Sequence, residues 1–178
     1  MNIFFQPIFN ELEQQRHKLI DLVKDLPTEK FNYVPSPDKW SIAQILTHIL
    51  VAERLSIVYM RKKSQGIDQL KDSGFTAQVR LVLLKISQRI PTIKFKAPKV
   101  VLENTPAALS VNELVAAWEK QRNDLKTFLE GIGEKNIKKE IYKHVIAGRL
   151  DARQAMIFLR EHANHHWPQI KRLLEQNP

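Results

Sequence analysis

The sequence predicts an all-α protein: a four-helix bundle with a long, partly helical connection between the second and third helices. Three observations carry that expectation. Apolar residues recur at three- and four-residue spacing in four long stretches. Capping-box signatures open three of them: Ser41-Ile42-Ala43-Gln44, Ser110-Val111-Asn112-Glu113 and Asp151-Ala152-Arg153-Gln154. No segment alternates apolar and polar residues for long enough to read as a strand. At 178 residues the chain has the length of a single domain, 1–178, able to bury a substantial core.

The first helix is expected over Pro7 to Leu26, where Ile8, Phe9, Leu12, Leu19, Leu22, Val23 and Leu26 form one stripe. Pro27 and the run PSPDK then impose a loop. After Ser41 the second stripe is Ile45, Leu46, Ile49, Leu50, Leu55 and Val58, broken by Gly66 and by the turn-forming Asp72-Ser73-Gly74. Thr76 to Ile90 reads as a shorter helix closed by Pro91, and the strip from there through Pro106 reads as extended or irregular. The third long helix runs from Ser110 to about Gly131 on Val111, Leu114, Val115, Trp118, Leu125, Phe128 and Leu129. A loop holding Gly131, Gly133 and Gly148 precedes the last helix, Gln154 to Leu174.

Composition narrows the function classes. With 43% hydrophobic and 26% charged residues the chain is globular rather than disordered. No apolar run approaches the roughly 20 residues that span a bilayer, and the start MNIFFQPIFNELEQQ lacks the basic opening and cleavage site of a signal peptide. A chain without cysteine has no disulfides and no thiolate of its own. A cytoplasmic location without a membrane partner is the expectation. The net charge is +9, much of it between residues 61 and 99, where ten Lys and Arg face only Asp68 and Asp72. Such an excess attracts anions, but no aromatics interleave it as base-stacking platforms, so nucleic acid is not expected as a partner.

Histidines interrupt the apolar stripes. His162 and His166 stand four residues apart on the last helix, hence one turn apart on one face. His48 points with the apolar face of the second helix, three residues after Ile45 and seven before Leu55. If the two helices face each other, three imidazoles form a cup with open coordination positions, suited to zinc, nickel, iron or copper. His165, three residues after His162, is a competing ligand; the stripe through Ala155, Phe158, Leu159, Ile170 and Leu173 favours His166 and turns His165 toward the rim of a pocket. Arg122 stands on an otherwise apolar turn, where a guanidinium needs an anion or carbonyl. It bridges a buried carboxylate such as Glu53, turns its head to solvent, or holds an anionic group of a substrate. His17 reads as ordinary, His144 as a loop anchor through hydrogen bonds, and Trp40 and Trp118 as packing residues.

Three segments together resemble the DinB-like (YfiT-like) superfamily of metal-dependent enzymes, over about Leu26 to Leu174. They are Lys39-Trp40-Ser41-Ile42-Ala43-Gln44-Ile45-Leu46-Thr47-His48-Ile49, then Trp118 with Arg122, then Lys143-His144, Gly148-Arg149-Leu150, Phe158-Leu159 and His162-Ala163-Asn164-His165-His166. The resemblance implies a four-helix bundle, often a homodimer, with a divalent metal such as zinc or nickel on His48, His162 and His166. Relatives include transferases that join bacillithiol-type thiols to electrophiles, and a mycothiol-dependent isomerase. The sequence departs from the family pattern at Val145, where a proline is usual. It departs again at Trp167-Pro168, where a proline inside the helix predicts a kink or local widening beside the site.

Three neutral imidazoles leave a cation its full charge, enough to activate a bound water or thiol. The leading expectation is a metal-dependent S-transferase whose partners are a small external thiol and an electrophile. The alternatives are a hydrolase using metal-bound hydroxide, which would lack the carboxylate base of HExxH peptidases, and a metal-binding stress-response protein without turnover.

Overall fold

The computed structural model describes residues 1–89 and 108–176. The expected connection from Pro91 to Pro106 lies outside them. The described chain is mostly helical: α1 (Gln6–Val23), α2 (Thr28–Asn32), α3 (Ile42–Ser64), α4 (Phe75–Arg89), α5 (Val111–Glu130) and α6 (Ala152–Glu175). Short 3-10 turns at Ile67–Gln69 and Glu134–Asn136 punctuate the loops.

The three expected capping boxes form. Ser41, Ser110 and Asp151 accept from the backbone N–H groups of Gln44, Glu113 and Gln154, whose side chains accept in return from the cap residue's backbone. Each satisfies donors that the first turn leaves open, so the starts of α3, α5 and α6 lie within a residue or two of expectation. Pro168 does not interrupt α6, which continues to Glu175. Pro168 and Asn164, whose carbonyl loses its partner, are both exposed, so water can take the place of the missing bond.

Two elements differ from expectation. The short α2 occupies the stretch after Pro27 and buries Phe31. A small antiparallel hairpin, β1 (Tyr142–His144) and β2 (Gly148–Leu150), pairs Tyr142 with Leu150 and His144 with Gly148. Three-residue strands are too short to show alternation, and the turn depends on Gly148 at φ 74°, a backbone region that disfavours side chains.

Around the core, α1 packs on α5 and α6, and α3 packs on the same two helices from the other side. α4 lies outside this group, against α6 and β2. α3 is long and apolar enough to cross a bilayer, contrary to the reading of the sequence, yet 67% of that window is buried inside the protein. It is a core helix.

The apolar interior falls into two clusters. One holds Phe5, Leu12, Ile57, Met60, Leu125, Leu150, Met156 and Leu159. The other holds Leu19, Phe31, Ile45, Leu46, Ile49, Trp118, Ala163 and Ile170. Between them on the helices stand buried polar residues: Arg16 on α1, Glu53 on α3, and Gln121 and Arg122 on α5. Arg122 donates from Nη1 to Glu53 Oε1 at 2.6 Å, and its Nε lies 2.8 Å from Glu13 Oε1. Arg16 donates to both oxygens of Glu13, and Trp118 Nε1 donates to Glu53 Oε2 at 3.3 Å. Gln121 donates to the Leu50 carbonyl. Charge removed from water must be paired, and this chain of partners ties α1, α3 and α5 together.

Replacing Arg122 with methionine strands Glu53 in the interior. Chemical denaturation is expected to show a loss of about 3 kcal/mol or more, and Arg122→Met/Glu53→Gln should recover part of it.

Candidate metal centre

Gln44 and Ser41 fix where α3 begins, and that start sets which of its residues face α6. His48 comes two turns into α3, between Leu46 and Ile49, and is buried. On α6, His162 and His166 face it from successive turns. His166 is buried and His162 partly so. One nitrogen from each of the three rings lies within 4.8 Å of the others. Nε2 of His48 and Nε2 of His162 stand 3.3 Å apart. Two ligands about 2.0–2.1 Å from a tetrahedral zinc are themselves separated by roughly 3.3 Å, so that pair already has the spacing of a shared ion.

The donor set fits a metal on other grounds. His48 turns Nε2 toward His162, while its Nδ1 is buried with no hydrogen-bond partner. Such an orphan costs about 1–3 kcal/mol. His166 Nδ1 lies 3.0 Å from Gln169 Oε1. With that oxygen as acceptor, Nδ1 carries the hydrogen and Nε2 keeps its lone pair for the cup. Burial holds the imidazoles of His48 and His166 down at about 4, and His162 well below the usual imidazole value, with the neighbouring imidazoles adding to the effect. All three are therefore neutral near pH 7, the state in which imidazole binds a cation.

Aromatic rings wall the cup. Trp40, just ahead of the α3 cap, lies 4.9 Å from the His48 ring and stacks over His166 at 6.5 Å. Phe158 stacks on His162 at 5.9 Å, and His144 leans on Phe158 at 4.3 Å. Nδ1 of His144 accepts from the backbone N–H groups of Ile146 and Ala147, so this histidine anchors its hairpin as expected.

The family follows from comparison with known proteins. A model of the DinB superfamily matches residues 11–170. The chain belongs to the DinB superfamily. It is 25% identical over 169 residues, 95% of this chain and 96% of the relative, to a protein of Bacillus subtilis (strain 168) described as uncharacterized protein YuaE. No solved structure matches it. For this DinB-superfamily chain, the structure brings His48, His162 and His166 into one group that could hold a metal ion.

The two pocket candidates are not members of that group. Arg122 is engaged by Glu53 and Glu13. His165 sits beside the cup, its ring 5.3 Å from that of His166, and is partly exposed. Two site residues were missed from the sequence. Trp40 read as packing because it precedes the helix and falls on no stripe; Gln169 gave no signal beyond lying three residues after His166.

Two outcomes follow from this geometry. Gln169→Ala should weaken zinc binding about 10–100-fold in a competitive chelator titration, with little change in melting temperature. The pH response has a definite sign. Free imidazole takes a proton near 6.5, whereas His48 and His166 do so only near 4 and burial holds His162 well below the usual value. The unfolded chain therefore binds protons that the fold refuses. Stability of the metal-free protein should be full above about pH 6.5 and fall progressively toward pH 4, by on the order of 2 kcal/mol at pH 5 for each of His48 and His166 in denaturant titrations.

Proposed function

We propose that this protein is a metal-dependent transferase that couples a small external thiol, of the bacillithiol type, to a carbon electrophile. The observation that carries the reading is the trio of neutral imidazoles, a ligand group that includes no carboxylate. A hydrolytic use of the same cup would call for a carboxylate base beside it.

His48, His162 and His166 would hold the cation, zinc or nickel. When bound, it would draw charge from a coordinated thiol and favour loss of the thiol proton. The protein's residues supply the rest. Neutral imidazoles leave the cation's charge undiluted, and Gln169 fixes the His166 ring. Trp40 and Phe158 keep water from two sides of the cup. In the transfer, sulfur forms a bond to the electrophilic carbon, the leaving group departs with its electron pair, and the thiol proton passes to solvent. The cysteine-free chain offers no competing thiol.

The same reading makes the chain a single cytoplasmic four-helix-bundle domain, 1–178, built from α1, α3, α5 and α6, and a homodimer. The pairwise packing of those four helices and the superfamily membership support the bundle.

Zinc- or nickel-loaded protein mixed with a panel of small thiols and chlorodinitrobenzene should form thioether. His48→Ala, matched for folding by circular dichroism, should lose about a hundredfold or more of that rate. Equal rates for the two proteins with every thiol would end the proposal.

A further inference from the structure

We infer that the outer face of α4 is a docking surface for an anionic lipid bilayer. Phe75, Val79, Val82, Leu83 and Ile86 recur at helical spacing along one side of α4, and all are exposed, Phe75 at 82%, Leu83 at 60% and Ile86 at 53%. α4 meets the protein with its opposite side, where Ala77 is buried, and packs on α6 and β2. The stripe is thus an apolar helix face that the described residues leave uncovered, and single scattered apolar residues do not account for five in register.

Charge identifies what covers it. From Ser73 to Arg89 the sequence contains no Asp or Glu and three basic residues, Arg80, Lys85 and Arg89. At 100° per residue, position 80 falls on one flank of the apolar stripe and positions 85 and 89 on the other. An apolar strip bordered by basic positions is the pattern of a helix lying in a lipid interface, its rings and aliphatic groups among acyl chains and its cations among headgroups. A second copy of this chain would bring two acid-free basic segments together and repel. Nucleic acid would answer the charge but leave five apolar side chains against water. An anionic membrane surface satisfies both features, and the helix would lie on it rather than cross it.

Full-length, metal-loaded protein should cosediment with phosphatidylcholine vesicles containing phosphatidylglycerol, and not with phosphatidylcholine alone. Rising salt should weaken the association. Leu83→Asp should reduce partitioning roughly tenfold or more, and Lys85→Gln about fivefold. Phe75→Ser, at the exposed start of α4, is a second apolar variant should Leu83→Asp fail to fold. Absence of binding to anionic vesicles overturns the inference. So does equal binding to neutral ones, or a concentration-dependent dimer that Leu83→Asp dissolves. The proposed thiol transfer is independent of every one of these outcomes.

Discussion

The register of α3 against α6 is the constraint from which the site follows. Each helix carries its ligands on the face that packs against the other, and a slip of one turn, about 5.4 Å, would separate His48 from His162 and His166. The register is held by apolar packing and by where each helix begins. Ile45, Leu46 and Ile49 belong to the same buried cluster as Ala163 and Ile170, so the apolar residues flanking the histidines interlock on both sides. The capping boxes at Ser41 and Asp151 define where each helix starts, and hence which residues face inward.

The buried charges contribute specificity more than net stability. An ion pair inside a protein can often be replaced by well-packed apolar residues at little cost, but any arrangement that unpairs one partner is heavily penalised. Arg122 has Glu53 on α3 and Glu13 on α1, and Glu13 also holds Arg16. Sliding α5 along α3 or α1 would break these contacts together. Because Glu53 lies five residues beyond His48 on the same helix, the network that aligns α5 with α3 also fixes the helix that carries a ligand. Arg122 can therefore affect the cup without touching it.

How much was legible in the sequence depended on the range of each signal. Helix starts were read well because a capping box is local, four residues whose chemistry is complete in the chain. The histidine trio was legible because residues four apart on a helix share a face wherever that helix lies, and because a polar ring on an apolar stripe needs an explanation. Glu53 could be named as a partner for Arg122, since both stand on inward faces. Glu13 could not, because its approach depends on how α1 packs. The hairpin and α2 were too short for any period to appear. Trp40 and Gln169 are site residues by virtue of what they touch, His48 and His166, and sequence spacing says nothing about tertiary contact.

The same desolvation that makes the cup chemically useful makes the metal-free fold carry a cost. Three rings are held neutral inside the protein, and one of them has a buried nitrogen with no partner. Each gives up hydration that a hydrogen bond or a metal would replace. Protons replace it poorly, because a charged imidazole is still less welcome where the neutral one is already desolvated, and neighbouring imidazoles repel it further. A cation shared by all three rings removes that conflict, since one charge is then satisfied by three lone pairs at once. A protein selected only for stability would have filled these positions with leucine or isoleucine, as it did at Leu46 and Ile49. Imidazoles there form a group that could hold a metal ion.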